Sequence, residues 1–153
     1  MDPFFEPEHV QLRNHVRSWV DHHLIARKKI VPDVDDEARD LLTHLGREGF
    51  VGYTVPKKFG GVHPTVLARD LCILREELAR GSSLADIMFA IQALGSYPIT
   101  LAGSDHQRRR YLPSMAKGTS IAAFALTEPQ AGSDISSIET RAVKRGKRYL
   151  LTG

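Results

Sequence analysis

Phe124-Ala125-Leu126-Thr127-Glu128-Pro129-Gln130-Ala131-Gly132-Ser133-Asp134 decides how this chain is read. An apolar run from Ser120 to Leu126 stops at the hydroxyl of Thr127. A proline follows, and then a turn of small residues, Ala131 to Asp134. A strand ending in a loop of free backbone N–H groups and short hydroxyls is suited to hold an anion or the polar edge of a ring. The rest of the chain is mostly helical in pattern and chemically quiet, so this segment is the place to expect part of a site.

Upstream, apolar residues recur at helical spacing. Leu12, Val16, Trp19, Val20 and Leu24 predict a first helix from Pro7 to about Ala26. Ala38, Leu41, Leu42 and Leu45 predict a second from Asp35 to Glu48, stopped by Gly49. Gly49 to Pro64 holds four glycines and two prolines and reads as an ordered loop. Leu67, Leu71, Leu74 and Leu78 stripe a third helix from about Thr65 to Ala79. Ser83 and Asp86 have capping-box spacing and open a long apolar helix reaching Ala102. That helix is expected at the centre of a bundle, bent near Gly95 and Pro98. Ser104 and Gln107 form a second capping box, opening a helix that ends at Gly118. Downstream, Ile121–Leu126, Glu139–Lys144 and Arg148–Thr152 read as strands, the last two around Gly146. The expected architecture is mainly α: a helical bundle over 1–118, then the start of a β-region over 119–153. Two or three uncovered strands are marginal alone, so the chain is expected to be a piece of a larger unit.

Composition bounds the partners. The 153 residues are 42% apolar and 25% charged, which suits a globular protein. A net charge of +3, without an aromatic-interleaved basic stripe, argues against nucleic acid. One cysteine, Cys72, excludes a disulfide framework and points to a reducing compartment, the cytoplasm; on its leucine-rich helix it is expected to be buried and inert. Met1 to Glu6 has no signal-peptide pattern, and no apolar stretch is expected to reach the roughly 20 residues of a membrane span.

Other candidates are weaker. His9, His15, His22 and His23 lie on or beside the first helix, but no cysteine or carboxylate completes a zinc spacing, so exposed histidines and no metal are expected. Glu76 and Glu77 point about 100° apart on a helix and do not make an acid/base pair; with Arg75 and Arg80 they read as a solvated face. Arg108-Arg109-Arg110 reads as a solvated or interface face. Glu128, beside Pro129, reads as a structural hydrogen-bond acceptor.

Several motifs together carry a resemblance. Phe124 to Asp134 resembles the flavin-binding signature of the acyl-CoA dehydrogenases. Gly46-Arg47-Glu48-Gly49-Phe50-Val51-Gly52, Pro56 and Phe59-Gly60-Gly61 resemble that family's loop after the second helix. Gly103-Ser104-Asp105, Gln107, Tyr111-Leu112-Pro113 and Gly118 resemble its helix leading into the sheet. Thr140-Arg141-Ala142 and Leu151-Thr152-Gly153 fit its next strands. The resemblance covers nearly the whole chain, in order.

It implies FAD-dependent α,β-dehydrogenation of an acyl-CoA or acyl-carrier thioester, by an N-terminal helical domain, a β-barrel-like middle domain and a C-terminal helical domain. Phe124, Leu126 and Thr127 would touch the flavin ring, the Thr127 hydroxyl and nearby backbone facing its pyrimidine edge. Gly132 and Ser133 would lie by the FAD pyrophosphate, with Ser133 also near the CoA part of the substrate. Fixed donors there would stabilise negative charge as it develops on the flavin. The acyl cavity would be bordered by the fourth helix around Phe89, Gln92, Ala93 and Gly95.

The family's catalytic glutamate, in its C-terminal domain, maps onto nothing here, so no catalytic residue is assigned. The remainder is expected as a second chain or a missing segment, in a homo- or hetero-oligomer, with electron-transfer flavoprotein as acceptor. Alternatives on the same residues are a flavin-dependent monooxygenase or nitroalkane oxidase, and a non-catalytic helical interaction module.

Overall fold

A computed structural model describes residues 5–26 and 33–153. The N-terminal residues 1–4, part of the signal-peptide reading, lie outside the described residues. The chain divides into two compact units, Met1–Ala123 and Phe124–Gly153.

The first unit is helical. α1 (Pro7–Val20) starts with proline at a position where its missing N–H costs nothing, and Glu6 and His9 cap it reciprocally. It continues as a π-helical turn, Asp21–Ile25. α2 (Val34–Arg47) is capped by Asp33, whose carboxylate accepts from the Asp35 N–H at 2.7 Å. Asp35, Asp36 and Glu37 fill its first turn, where acids oppose the helix dipole favourably. Gly49 ends it at φ 79°, a left-handed conformation that favours glycine. Two 3₁₀ turns follow, Phe50–Thr54 and Lys57–Phe59. Then come α3 (Ala68–Gly81), α4 (Ser83–Ala102) and α5 (Asp105–Ala116).

One core cluster gathers Val16, Trp19 and Val20 from α1, Leu41, Leu42 and Leu45 from α2, Phe50 and Val51, Leu74 and Leu78 from α3, and Ala85 and Phe89 from α4. A second gathers Val55, Phe59, Leu112, Met115, Ala116 and Ala122. The second helix end and the fifth cross tightly: a Cβ at Gly46 would collide with the Lys117 carbonyl.

Several expectations need correction. The cap of α4 is Ser82, whose hydroxyl accepts from the Ala85 N–H, while Asp86 pairs with Arg75 at 2.8 Å. α4 runs unbroken through Pro98. The proline deprives the Leu94 carbonyl of its usual donor. Nearby, the Ser96 hydroxyl sits 3.1 Å from the Ala93 carbonyl and 3.2 Å from that of Thr54. α4 is also not buried all round. Ala85, Phe89, Gln92, Gly95 and Ser96 face inward, whereas Ile87, Leu94, Tyr97 and Leu101 are exposed. At 20 residues and mean hydropathy 1.3, it is long and apolar enough to cross a membrane, contrary to the expectation of no such stretch. Its packing on α2, α3 and α5 and its bonded polar residues account for it as a bundle helix.

Glu77 is not on a solvated face. It is 1% exposed and accepts from Arg17, with Nη2 at 2.6 Å, and from Arg80 at 3.0 Å. Its position on the inner side of α3 faces α1, which the sequence pattern does not reveal. Cys72, by contrast, is exposed, because it sits one residue off the buried stripe of α3.

In the second unit, β1 (Arg141–Arg145) and β2 (Arg148–Thr152) form an antiparallel hairpin about Gly146, with Val143 opposite Leu150. Ile121–Leu126, expected as a strand, is in no ladder. Alternating apolar residues extend the backbone, but a strand also needs a partner, and none is present for it among the described residues.

Candidate functional site

The five residues singled out for cofactor contact, Phe124, Leu126, Thr127, Gly132 and Ser133, all lie in the second unit and are all exposed. The chain reverses between them. The Glu128 N–H donates to the Ala131 carbonyl at 3.0 Å, and the Ala131 N–H returns to the Glu128 carbonyl at 3.1 Å. This two-bond turn sets Thr127 on one arm and Gly132 and Ser133 on the other.

Two carboxylates brace the turn. Glu128 accepts from the Glu139 N–H at 2.8 Å, the Thr140 N–H at 3.1 Å and the Gln130 side-chain amide at 2.9 Å. Bonds from the Thr140 side chain and from the Glu139 amide hold its carboxyl below the usual glutamate range. Glu128 thereby ties the turn to the start of β1. Asp134 accepts from the Ser136 hydroxyl at 2.5 Å, the Ser137 hydroxyl at 2.7 Å and the Ser136 N–H at 3.0 Å. These bonds hold its carboxyl low as well, the Ser136 hydroxyl contributing most. Sequence reading missed Thr140, Ser136 and Ser137 as braces. The Asp-x-Ser-Ser pattern was the available signal, since aspartate commonly accepts from the amide two residues on.

With the carboxylates occupied inside the loop, the free groups are the ones facing outward. The hydroxyls of Thr127 and Ser133 have no partner among the described residues. A Cβ built on Gly132 would meet nothing within 4 Å, so nothing in this chain demands glycine there. The arrangement offers two hydroxyls, an open backbone stretch and two apolar side chains, Phe124 and Leu126, to something outside the chain.

The helical unit holds a separate feature, an apolar groove. It is a cavity of about 290 Å³ lined by Thr54, Val66, Ala68, Leu71, Ala93, Leu94 and Tyr97. Of the four α4 residues expected around a cavity, only Ala93 lines it. Phe89 and Gln92 are buried in packing. A Cβ at Gly95 would come within 2.7 Å of the Ala122 Cβ. The inward face of α4 serves the bundle, and the next face round forms the groove.

The histidines serve other ends. The Nδ1 atoms of His22 and His23 donate to the Ser18 and Trp19 carbonyls, at 2.7 and 2.9 Å. His15, His22 and His23 are exposed, but His9 is drawn in beside Asp70. Among the described residues, no three His, Cys, Asp or Glu side chains gather as metal ligands.

Comparison with known proteins decides the family. A model of the acyl-CoA dehydrogenase N-terminal domain matches residues 6–119. The chain belongs to the acyl-CoA dehydrogenase family. An acyl-CoA dehydrogenase of Bacillus subtilis (strain 168) is 33% identical over 147 residues, covering 95% of this chain and 38% of the relative. Among solved structures, an acyl-CoA dehydrogenase complexed with FAD from Bacillus anthracis superposes with a TM-score of 0.79 at 28% identity, over 100% of this chain and 26% of that one. A glutaryl-CoA dehydrogenase from Mycobacterium smegmatis gives a TM-score of 0.79 at 31% identity, over 100% of this chain and 39% of that one. The chain spans well under half the length of each. For an acyl-CoA dehydrogenase, a mainly helical N-terminal region leading into strands is the expected fold, and the helices and hairpin found here have it.

Proposed function

We propose that this chain forms the N-terminal helical domain and the first strands of the middle β-domain of an FAD-dependent enzyme that desaturates acyl thioesters carried on CoA or a carrier protein. The observation that carries the reading is the braced turn at Glu128–Ala131, which presents Thr127, Gly132 and Ser133 outward with no partners of their own. These residues fit FAD. The open space at Gly132 admits a pyrophosphate that a larger side chain would exclude. Thr127 and the adjoining backbone would hold the polar edge of the ring, and Phe124 and Leu126 would pack against its apolar part. Ser133 would lie by the pyrophosphate and the CoA portion of the substrate. FAD held there would supply an acceptor for the hydride leaving the β-carbon. Removal of the α-proton falls to a base outside these residues, in the remaining polypeptide. The apolar groove in the helical unit takes the acyl chain, each buried methylene contributing about 0.8 kcal/mol. The same reading places the enzyme in the cytoplasm, as an oligomer passing electrons to an electron-transfer flavoprotein.

Thr127→Val and Gly132→Leu test the cofactor half. Thr127→Val is expected to weaken FAD binding or slow its reduction by about 1.5–3 kcal/mol, one bond to a charged partner. Gly132→Leu is expected to abolish FAD retention. Both should leave melting of the apoprotein within about 0.5 kcal/mol of the parent, since both sites are exposed and unpacked. Full FAD occupancy in Gly132→Leu would place the phosphates elsewhere.

A further inference from the structure

We infer that Asp70, acting through His63, is a positioning residue that sets the loop wall of the apolar groove and so the acyl chains the enzyme prefers. The inference rests on reading that groove as the acyl site. Asp70 lies in the first turn of α3, where an acid is ordinarily a solvated partner of the helix dipole. Here it is only 4% exposed. A buried carboxylate must be compensated. Its Oδ2 lies 2.8 Å from Nε2 of His63 and its Oδ1 lies 3.7 Å from Nε2 of His9. A carboxylate accepts, so His63 presents N–H at Nε2. The Nδ1 of His9 accepts from the Glu6 N–H at 3.0 Å, which leaves that ring's hydrogen on Nε2, also facing Asp70. Tyr53 packs edge-on against His63, with ring centroids 5.6 Å apart. Burial, and then the Asp70 charge, push its phenol up.

His63 is held from a second side, its carbonyl accepting from the Lys57 N–H at 2.6 Å. The segment from His63 to Asp70 is therefore a short excursion clipped at its base. Val66 stands within it and lines the groove opposite Ala93, Leu94 and Tyr97 of α4, while Ala68 and Leu71 line it from α3. The clip fixes Val66 relative to α3. Among the described residues nothing else bonds the His63 side chain to α3, so without it the segment is held near His63 only by backbone bonds on its loop side, Lys57 N–H to the His63 carbonyl and Val62 N–H to the Gly52 carbonyl.

The test uses the FAD-loaded enzyme containing this chain, a series of straight-chain acyl-CoA substrates, and the variants His63→Gln, Asp70→Asn and Val66→Trp. His63→Gln and Asp70→Asn are expected to raise KM for the preferred chain length about fivefold or more, to flatten the length preference, and to leave kcat within about twofold, the pattern of lost ground-state binding. Exchange of the Lys57 amide should quicken about tenfold while core amides of α3 keep their protection. Val66→Trp should shift preference toward shorter chains. If Val66→Trp shifts preference and neither clip variant does, the positioning role is overturned. If Val66→Trp has no effect either, the groove is not the acyl site and both readings fall. Should Asp70→Asn fail to fold, His63→Gln, at a partly exposed ring, carries the same comparison.

Discussion

Gln92 shows how much one buried side chain can hold in this bundle. It is 1% exposed, in the inner face of α4. Its amide nitrogen donates to the Met115 carbonyl at 3.0 Å and the Ser120 carbonyl at 2.8 Å, and its oxygen accepts from the Ala122 N–H at 2.8 Å. One side chain thus bonds three backbone groups, one in the last turn of α5 and two on the segment that leaves it. Replacing it with leucine leaves the Ser120 carbonyl and the Ala122 N–H without this partner, while the Met115 carbonyl keeps the Gly118 N–H at 3.0 Å. Gln92→Leu is expected to destabilise the chain by about 2–4 kcal/mol in urea unfolding, more than a simple loss of area would give. In the sequence, the family resemblance put Gln92 beside the acyl cavity, with Phe89, Ala93 and Gly95. The physical fact that overrides this is that α4 needs a donor and acceptor to meet a loop without secondary structure. That loop is invisible to helical periodicity.

At the scale of elements, the joint between α1 and α3 depends on Glu77. The carboxylate is buried, and burial alone would raise its pKa, but bonds from Arg17 and Arg80 outweigh this and hold it below the ordinary value of 4.5. A depressed carboxylate contributes stability above its unfolded pKa and loses it as pH falls through the folded one. Stability of the helical unit is therefore expected to fall on acidification below about pH 4.5, and Glu77→Gln to flatten that slope. At neutral pH, Glu77→Gln should cost about 2 kcal/mol, or about 4–8 °C in Tm by calorimetry. Helix positions, their stop glycines and the Ser104–Gln107 capping box were legible in the sequence, since each rests on local chemistry. The partners of Glu77, Asp70 and Asp86 were not, because each is met across space by another element. A turn was expected at Ala131–Asp134, whereas the chain reverses just before it, at Glu128–Ala131, and the braces at Thr140, Ser136 and Ser137 come from residues further along the chain.

For the whole molecule, the two units differ in what secures them. The helical unit has two buried apolar clusters. In the hairpin, every residue of β1 and β2 is exposed. An isolated two-stranded hairpin is marginal in water. Amides of Val143 and Leu150 are expected to exchange at least about a hundredfold faster than those of Leu74 and Leu78 in native-state hydrogen exchange. Equal protection in both units would show that the hairpin is secured by something other than its own ladder.

Trp19 is the sole tryptophan of the sequence. It stacks on His23 with ring centroids 4.9 Å apart and meets Phe50 edge-on at 5.4 Å, all inside the helical unit. Within this chain, intrinsic emission excited in the indole band therefore reports melting of the helices alone. If a coloured nucleotide binds the Thr127–Ser133 turn as proposed, its release would register in a different optical channel, and the order of the two events could be timed in one heated cuvette, without any attached label.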